Sequence, residues 1–194
     1  MATEYQRYML ELNFTPFPEL TTDRFVLRRF TEEDTAEMYY FRSDPIILQY
    51  LDKDPCPSLE EAKAFINRIN KEIDENNSIL WAIAFKDNPA TSIGSICYWQ
   101  LMKAHHRAEM GYLVAPAYWS KGVMKEVMPV VLEYGFRQMG LHSVEARLNP
   151  GNKASAAVLE RAGFSKEAHF KEDFFYNGKY TDTLVYGLVN PYHT

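Results

Sequence analysis

The sequence predicts an α/β fold of the α+β kind, in which helices pack on one mixed, mostly antiparallel sheet. Three observations lead to this class. Runs rich in Ile, Val and aromatic residues follow one another in the middle of the chain without a helix between them. Segments with apolar residues at helical spacing lie between the other strands and predict amphipathic helices. No internal repeat or composition shift divides the chain, so we expect an arm over residues 1–20 and a single domain over residues 21–194.

The first elements are indicated by helix-start signals. The segment RFVLRRF (24–30) is typical of a strand. Thr31 followed by Asp34 resembles a capping box, in which two side chains satisfy the free N–H groups of a helix start, and predicts a helix to about Arg42. Three prolines predict a loop over 44–58. Ser58 with Glu61 is a second capping box, and apolar residues at helical spacing predict a helix over 59–75.

Three consecutive strands are predicted next, over 78–85, 91–101 and 105–114. The first two read as a hairpin around a turn at DNPA. In the third, the adjacent residues His105 and His106 would point to opposite faces, so they could not share a metal. We therefore expect no metal site there.

The C-terminal part alternates helices and strands. A helix is predicted from Gly122 to about Met139, kinked at Pro129, followed by a strand over 143–148. Asn152 caps a second helix that ends at Gly163, and two strands, about 165–172 and 182–188, surround the turn YNGKY. The residues of this second helix expected to face inward are Ala154, Ala157, Val158 and Ala162.

Composition limits the function classes. Apolar residues make up 46% and the formal net charge is −5, so the chain lacks the basic excess of a dedicated nucleic-acid binder. The two cysteines have no metal-type spacing, which favours a reducing compartment. The N-terminus does not resemble a signal peptide, and the longest uncharged stretch, 88–102, is too short and polar for a membrane span. We expect a cytoplasmic protein that uses neither nucleic acid nor membrane as its partner.

The stretch APAYWSKGVMKEVM (115–128) carries the first chemical signal. A predicted strand ends, a short loop follows, and Gly122 begins a helix between Lys121 and Lys125. Free N–H groups and the positive end of the helix dipole make such a point suitable for a phosphate or diphosphate. The stretch matches neither the P-loop nor the GxGxxG pattern, and a plain helix start is the alternative.

Four segments in order and spacing resemble the GNAT superfamily of acetyltransferases over about residues 20–190: IGSI, AEMGYLVAPAYWSKGVMKEV, LEYGFRQMGLHSVEARLNPGNKASAAVLERAGF and YTDTLVYGL. They are most similar to the Rim-type branch, which acetylates N-terminal amines of ribosomal proteins. The resemblance implies the GNAT fold, with about seven strands and about four helices. It also implies transfer of an acetyl group from acetyl-CoA to an amine, without a metal.

The same resemblance implies where acetyl-CoA is held. Its diphosphate would lie on residues 119–124, its pantetheine arm would enter where strands 109–114 and 143–148 splay apart, and backbone N–H groups around Leu113 would polarise the thioester carbonyl. Met124 lies at a position where the family has Gly or Ala, so we expect weaker binding of acetyl-CoA. The candidate cofactor-binding residues are Leu113, Val114, Trp119, Lys121, Gly122, Val123, Met124, Lys125, Asn149 and Asn152. For the two asparagines, helix capping is the alternative.

Two catalytic residues are implied by the resemblance. Glu109 is the candidate general base, because an amine near neutral pH must lose a proton before it attacks; a surface ion pair is the alternative. Ser155 is the candidate acid that assists the departing thiolate, the alternative being a hydrogen bond to its own backbone. Tyr98 and Tyr112 are candidates for the acceptor pocket, although strand aromatics are more often simply packed.

The sequence therefore predicts an N-acetyltransferase that acts by direct transfer in a ternary complex, with a protein or peptide α-amine, such as that of a ribosomal protein, as acceptor. A small amine of the polyamine or aminoglycoside type is the alternative acceptor, and a longer acyl group is a further variant. A non-catalytic acyl-CoA-binding module is the alternative from a different class. The aromatic arm would cover either its own domain or a neighbour's in a homodimer.

Overall fold

A computed structural model describes residues 9–192 of the chain. Its eight strands form one sheet in the order β1-β2-β3-β4-β5-β6-β8-β7. Every neighbouring pair is antiparallel except β5 and β6, which are parallel. In chain order the strands are β1 (Leu20–Thr21), β2 (Phe25–Arg28), β3 (Ile79–Phe85), β4 (Asn88–Met102), β5 (Arg107–Val114), β6 (Ser143–Leu148), β7 (Ser165–Tyr176) and β8 (Lys179–Val189). The predicted fold class is confirmed, with the two-residue β1 as the additional strand.

Five α-helices accompany the sheet within residues 9–192. They are α1 (Thr35–Ser43), α2 (Pro45–Leu48), α3 (Leu59–Asp74), α4 (Val123–Arg137) and α5 (Lys153–Arg161). The helix absent from the sequence prediction is α2, which lies inside the predicted loop 44–58. Its four residues are too few to show a periodic pattern, and it begins because the Asp44 carboxylate accepts hydrogen bonds from the N–H groups of Ile46 and Ile47.

The predicted helix starts have the expected contacts. Ser58 Oγ accepts the N–H of Glu61 at 3.3 Å at the start of α3. Asp34 Oδ2 accepts the N–H of Thr31 at 2.9 Å, and a 3-10 turn over Glu32–Asp34 leads into α1. Both segments were identified because a capping box is a local pattern whose partners lie three residues apart.

Alternate residues of β3 show how the two layers of helices lie on the sheet. Trp81 and Ile83 belong to the large core cluster that includes the apolar residues of α4, whereas Ala82 packs in a second cluster with residues of α1 and α3. Successive side chains of a strand point to opposite faces. Helices α4 and α5 therefore cover one face of the sheet, and α1 and α3 cover part of the other.

Some predicted boundaries and contacts are corrected. The strand predicted at residue 105 begins at Arg107, because His105 lies in a 3-10 turn and His106 has a left-handed backbone, with φ 53°. The hairpin of β7 and β8 is longer than predicted. In α5 the inward anchor is Leu159, which is fully buried, while Ala154 is exposed.

The N-terminal arm packs on its own domain over its described part. The N–H of Leu10 donates to the carbonyl of Lys103 at 3.1 Å, and the Phe14 side chain is buried in the core. Trp81 Nε1 donates to the carbonyl of Pro18 at 2.7 Å. Burial of a phenylalanine stabilises the fold by about 2 to 3 kcal/mol. Residues 1–8 of the predicted arm lie outside the described residues, and the arm passes into β1 at Leu20.

Candidate active site

The two parallel strands part in the middle of the sheet. Pairing joins residues 107–109 of β5 to residues 143–145 of β6. Further along, β5 stays paired with β4 and β6 stays paired with β8. Within the described chain the two strands therefore separate after Glu109, and a cleft opens between residues 110–114 and 146–148. This feature, called the strand cleft below, lies within the two segments where the sequence analysis expected a splay.

Glu109 is buried at the closed end of the strand cleft. Its side chain is 7% exposed, and its Oε2 atom has no hydrogen-bond partner among the described residues. Burial, and after it the negative charge of Glu145, raise the pKa of Glu109 to about 7, against the opposing effects of Arg147, a hydrogen bond from Trp99 and Lys53. A carboxyl group with this pKa exchanges a proton near neutral pH.

Strand register defines the face on which Glu109 lies. Glu109 is directly opposite Trp99 of β4 and Glu145 of β6, so these three side chains share one face. Leu113 lies on the same face and packs beside Phe41 of α1. The carboxylate of Glu145 accepts a hydrogen bond from Arg107 Nη2 at 2.8 Å. Glu109 therefore points to the side of the sheet that carries α1 to α3.

Ser155 and Tyr112 meet on the other side of the strand cleft. Ser155 is in the first turn of α5, where its N–H donates to Oδ1 of Asn152 at 3.0 Å. Its Oγ lies 2.7 Å from the hydroxyl oxygen of Tyr112 on β5. Tyr112 is opposite Ile96, a core residue, and packs against the large cluster on the α4 side. Burial raises the pKa of Tyr112 to about 12, so its hydroxyl stays protonated at neutral pH.

The loop after β5 is shaped by Trp119 and Gly122. Trp119 Nε1 donates to the carbonyl of Val114 at 2.6 Å, which holds the loop against the end of the strand. Gly122 has φ 76°, a left-handed backbone that other residues adopt only with strain. Within the described chain no side chain caps the start of α4. The first N–H groups of this helix are therefore available to an anion.

Positive charge surrounds this loop. Lys121 and Lys125 are exposed. Arg24, at the start of β2, donates from Nη1 to the carbonyl of Lys121 at 3.2 Å and forms an ion pair with Glu126 at 2.6 Å. An alanine-type Cβ at Gly122 would lie 3.5 Å from Arg24 Nη2. Sequence analysis missed Arg24 because it is 97 residues from Lys121 and no short motif links them.

The side chains of Val123 and Met124 are buried in the large core cluster, 4% and 8% exposed respectively. The expectation that Met124 weakens acetyl-CoA binding assumed a side chain close to the phosphates. Its burial removes that reason, because the side chain packs inward and only backbone groups face the loop. The Val123 side chain packs inward in the same way, and contact of its N–H group with a phosphate stays a prediction.

The two asparagines make the contacts given as their alternative roles. Asn149 Oδ1 accepts the N–H of Gly151 at 2.9 Å, and Asn152 Oδ1 caps α5 at Ser155. Each side chain also carries an amide NH₂ that these hydrogen bonds do not use. Contact of either residue with a pantetheine arm therefore stays a prediction.

The predicted role of Tyr98 in an acceptor pocket is corrected. Its side chain is fully buried, and its hydroxyl donates to the carbonyl of Val131 in α4 at 3.0 Å. Tyr98 therefore fastens α4 to the sheet. Tyr112 points to the same face as Tyr98, opposite to the face that carries Glu109. Its hydroxyl contacts Ser155, the candidate acid.

Neither a metal cluster nor a spanning helix is found in the part of the chain that the structure describes. No group of three or more His, Cys, Asp or Glu side chains there has a geometry suited to a metal ion. No helix there combines the length and apolar character needed to cross a membrane.

Comparison with known families gives a match over most of the chain. Residues 24–165 match the family model described as an acetyltransferase (GNAT) domain. The uncharacterized N-acetyltransferase YoaA of Bacillus subtilis (strain 168) is 34% identical over 175 residues, which cover 90% of this chain and 98% of the relative. The [ribosomal protein uS5]-alanine N-acetyltransferase of Escherichia coli (strain K12) is 27% identical over 184 residues, covering 91% and 93%.

A relative with a different kind of acceptor is also similar. The spermidine N(1)-acetyltransferase of Vibrio cholerae is 25% identical over 170 residues, covering 87% of this chain and 95% of the relative. Among solved structures, the ribosomal-protein-S5-alanine acetyltransferase from Vibrio fischeri has a TM-score of 0.80 at 21% identity, covering 91% of this chain and 99% of that structure. That structural likeness shows a shared fold.

Proposed function

The chain belongs to the GNAT family of N-acetyltransferases, with Rim-type enzymes among its relatives, and we propose that it moves an acetyl group from acetyl-CoA to a peptide α-amine. The observation that carries the proposal is the buried Glu109 carboxylate at the point where β5 and β6 part, since its Oε2 atom has no hydrogen-bond partner within residues 9–192. A buried polar atom without a partner costs stability, and a reacting ammonium group supplies the missing hydrogen bond.

The residues present suit acetyl-CoA. The uncapped start of α4, the left-handed Gly122 and the exposed Lys121 and Lys125 form a cradle for a diphosphate. The strand cleft leaves backbone groups near Leu113 unpaired with β6, and these groups suit a thioester carbonyl. Acetyl-CoA supplies the activated acetyl group as a thioester.

Glu109 is proposed as the general base. An α-amine near neutral pH is mostly protonated, and only the neutral amine attacks a carbonyl. The Glu109 carboxylate accepts the proton, directly or through a water molecule, and the amine nitrogen then bonds to the acetyl carbon. Because burial raises its pKa to about 7, Glu109 is a stronger base than an exposed glutamate and is still ionised in part of the molecules at neutral pH.

Ser155 is proposed as the acid on the opposite side of the strand cleft. When the carbon–sulfur bond breaks, the electron pair stays on sulfur and the Ser155 hydroxyl donates a proton to it. The amide nitrogen loses its second proton to solvent, the serine recovers a proton from solvent, and the proton on Glu109 is released to solvent. Base and acid on opposite faces of the sheet suit a thioester lying between the two strands.

A peptide acceptor is favoured over a polyamine by the charges on the Glu109 face. Glu145 is already paired with Arg107 at 2.8 Å, and Arg147 lies two residues further along β6. Arg147 is itself paired with Asp173 at 3.5 Å, so Glu145 and Asp173 each already have a cation beside them and offer less free negative charge to a polycation. The similarity to the spermidine enzyme keeps a polyamine as the second candidate, with Glu145 as its second anion.

A panel of acceptors tests this proposal. Acetyl-CoA is mixed with peptides that carry a free N-terminal alanine or serine, with the same peptides acetylated at the N-terminus, and with spermidine. Mass spectrometry then locates the acetyl group. The proposal predicts a product only on peptides with a free α-amine. Acetylation of spermidine with no peptide product would show that the acceptor is a polyamine and not a peptide. No product with any amine would contradict the transferase activity.

A further inference from the structure

A tyrosine on β5 occupies a position that the proposed mechanism does not use. The Tyr112 hydroxyl oxygen lies 2.7 Å from Ser155 Oγ and 3.2 Å from the Ser155 carbonyl oxygen. Hydroxyl pairs at 2.7 Å are well-formed hydrogen bonds. The contact joins a residue on one wall of the strand cleft to the first turn of α5, across 43 residues of sequence.

We propose that Tyr112 is a positioning residue that orients the Ser155 hydroxyl toward the thioester sulfur. This inference rests on the proposed acetyl transfer. A serine hydroxyl has one hydrogen and rotates freely, so its direction depends on whether its neighbour donates to it. The Tyr112 hydrogen can reach Ser155 Oγ at 2.7 Å or the Ser155 carbonyl at 3.2 Å, and the proposal takes the shorter contact. When the Tyr112 O–H donates to Ser155 Oγ, the serine hydrogen is directed away from the ring and into the strand cleft.

The backbone of Ser155 supports the same arrangement. Its N–H donates to Oδ1 of Asn152, which fixes the first turn of α5 and therefore the position of Cα. The tyrosine then fixes the remaining freedom, which is the rotation of the hydroxyl. A serine early in a helix commonly directs its hydroxyl to a nearby backbone group, and that competing bond would withdraw the proton from the reaction.

Tyr112 also contributes as the proton leaves. The carbon–sulfur bond breaks with its electron pair on sulfur, and the hydrogen of Ser155 moves to sulfur. The charge that develops on Ser155 Oγ is stabilised by the hydrogen bond from Tyr112, which keeps its own proton. The serine is reprotonated from solvent, so Tyr112 ends unchanged.

Matched variants separate this role from simple packing. Tyr112→Phe removes only the hydroxyl, and Ser155→Ala removes the group that it positions. Tyr134→Phe is the control, since Tyr134 is a partly buried tyrosine of α4 that packs edge-on against Trp81, with ring centroids 5.5 Å apart. The two single variants, their double variant and the control are compared with wild type in three measurements. These are kcat with a peptide acceptor, the dissociation constant for CoA by calorimetry, and the urea midpoint of the unliganded protein.

The inference predicts that Tyr112→Phe lowers kcat roughly five- to ten-fold, as loss of one good hydrogen bond implies, with an unchanged CoA dissociation constant. In the Ser155→Ala background the same change has no further effect on kcat, and the urea midpoints of the two variants are also non-additive. Tyr134→Phe leaves kcat at the wild-type value.

Three results would overturn the inference. Wild-type kcat in Tyr112→Phe would do so, as would an equal loss of kcat in both backgrounds, since the tyrosine would then act independently of Ser155. Coupling in the urea midpoints without coupling in kcat would make the contact structural only. A wild-type enzyme that acetylates no amine contradicts the proposed function itself, and the inference is rejected with it.

Discussion

Glu109 on β5 lies directly opposite Glu145 on the parallel strand β6, and this is the last pair before the two strands part. Burial raises the pKa of Glu109 most, and the negative charge of Glu145 beside it raises the pKa as well. The point where the two strands part therefore also places a buried carboxylate beside a second one, which together make Glu109 basic near neutral pH.

Replacing Glu109 removes the proposed base. We expect Glu109→Gln to lower kcat about 100-fold or more, the usual contribution of general base catalysis. The wild-type rate should rise with pH through about 7, because only ionised Glu109 accepts a proton, and should level off above that value. Rates measured from pH 5 to 9 for both proteins test this. A variant with full turnover and the same pH profile would refute the assignment.

The charges around Glu109 set the midpoint of that profile. Glu145→Gln removes a negative neighbour and should move the midpoint to lower pH, whereas Arg147→Gln removes a positive neighbour and should move it to higher pH. Opposite shifts in kcat/KM profiles would identify Glu109 as the titrating group. Shifts in the same direction, or none, would point to another residue.

Stability should depend on pH in the opposite sense to activity. The pKa of Glu109 rises from the ordinary value of 4.5 to about 7 on folding, so between these values the folded protein holds a proton that the unfolded chain releases. Its contribution to stability is complete below pH 4.5 and is lost as pH rises through about 7. Glu109→Gln should therefore raise the melting temperature at pH 8 relative to wild type. At pH 4 the two proteins should melt alike, and a variant less stable than wild type at pH 8 would contradict this assignment.

The inward packing of Met124 leads to a separate expectation. Met124→Ala should reduce the unfolding free energy by about 2 to 5 kcal/mol, as for other large-to-small changes in a core. CoA affinity measured below the melting temperature should stay the same, because the side chain does not face the loop. Urea denaturation and calorimetry measure the two quantities. Tighter CoA binding with unchanged stability would show that the side chain obstructs the loop.

Local signals in the sequence predicted much of the fold. The capping boxes at Thr31 and Ser58 and the glycine at 122 involve neighbours a few residues apart, so the sequence itself contains both partners. The helix α2 was missed because one aspartate and four residues give no periodic pattern. The left-handed His106 is likewise invisible to a strand pattern, which assumes extended backbone throughout.

The candidate site was less accessible to sequence reasoning, since it depends on strand register and distant contacts. Tyr98 and Tyr112 were grouped with the acceptor pocket, yet both point to the α4 side, opposite to Glu109. For Tyr112 the odd spacing from Glu109 within β5 already implies opposite faces. For Tyr98 the register with β4 is needed. The contact of Arg24 with Glu126 spans 102 residues, so no motif contains it.

The most direct test of the account is a calorimetric titration of acetyl-CoA into the purified protein. Gly122→Asp places a negative charge and a strained backbone at the start of α4. Gly178→Asp makes the same change at φ 78° in the β7–β8 turn, where an added Cβ would have no described atom within 4 Å apart from its chain neighbours. We predict micromolar binding by wild type and by Gly178→Asp, and none by Gly122→Asp. Equal binding by all three would contradict the proposal that the start of α4 holds the diphosphate. No binding by wild type would contradict the acetyltransferase account as a whole.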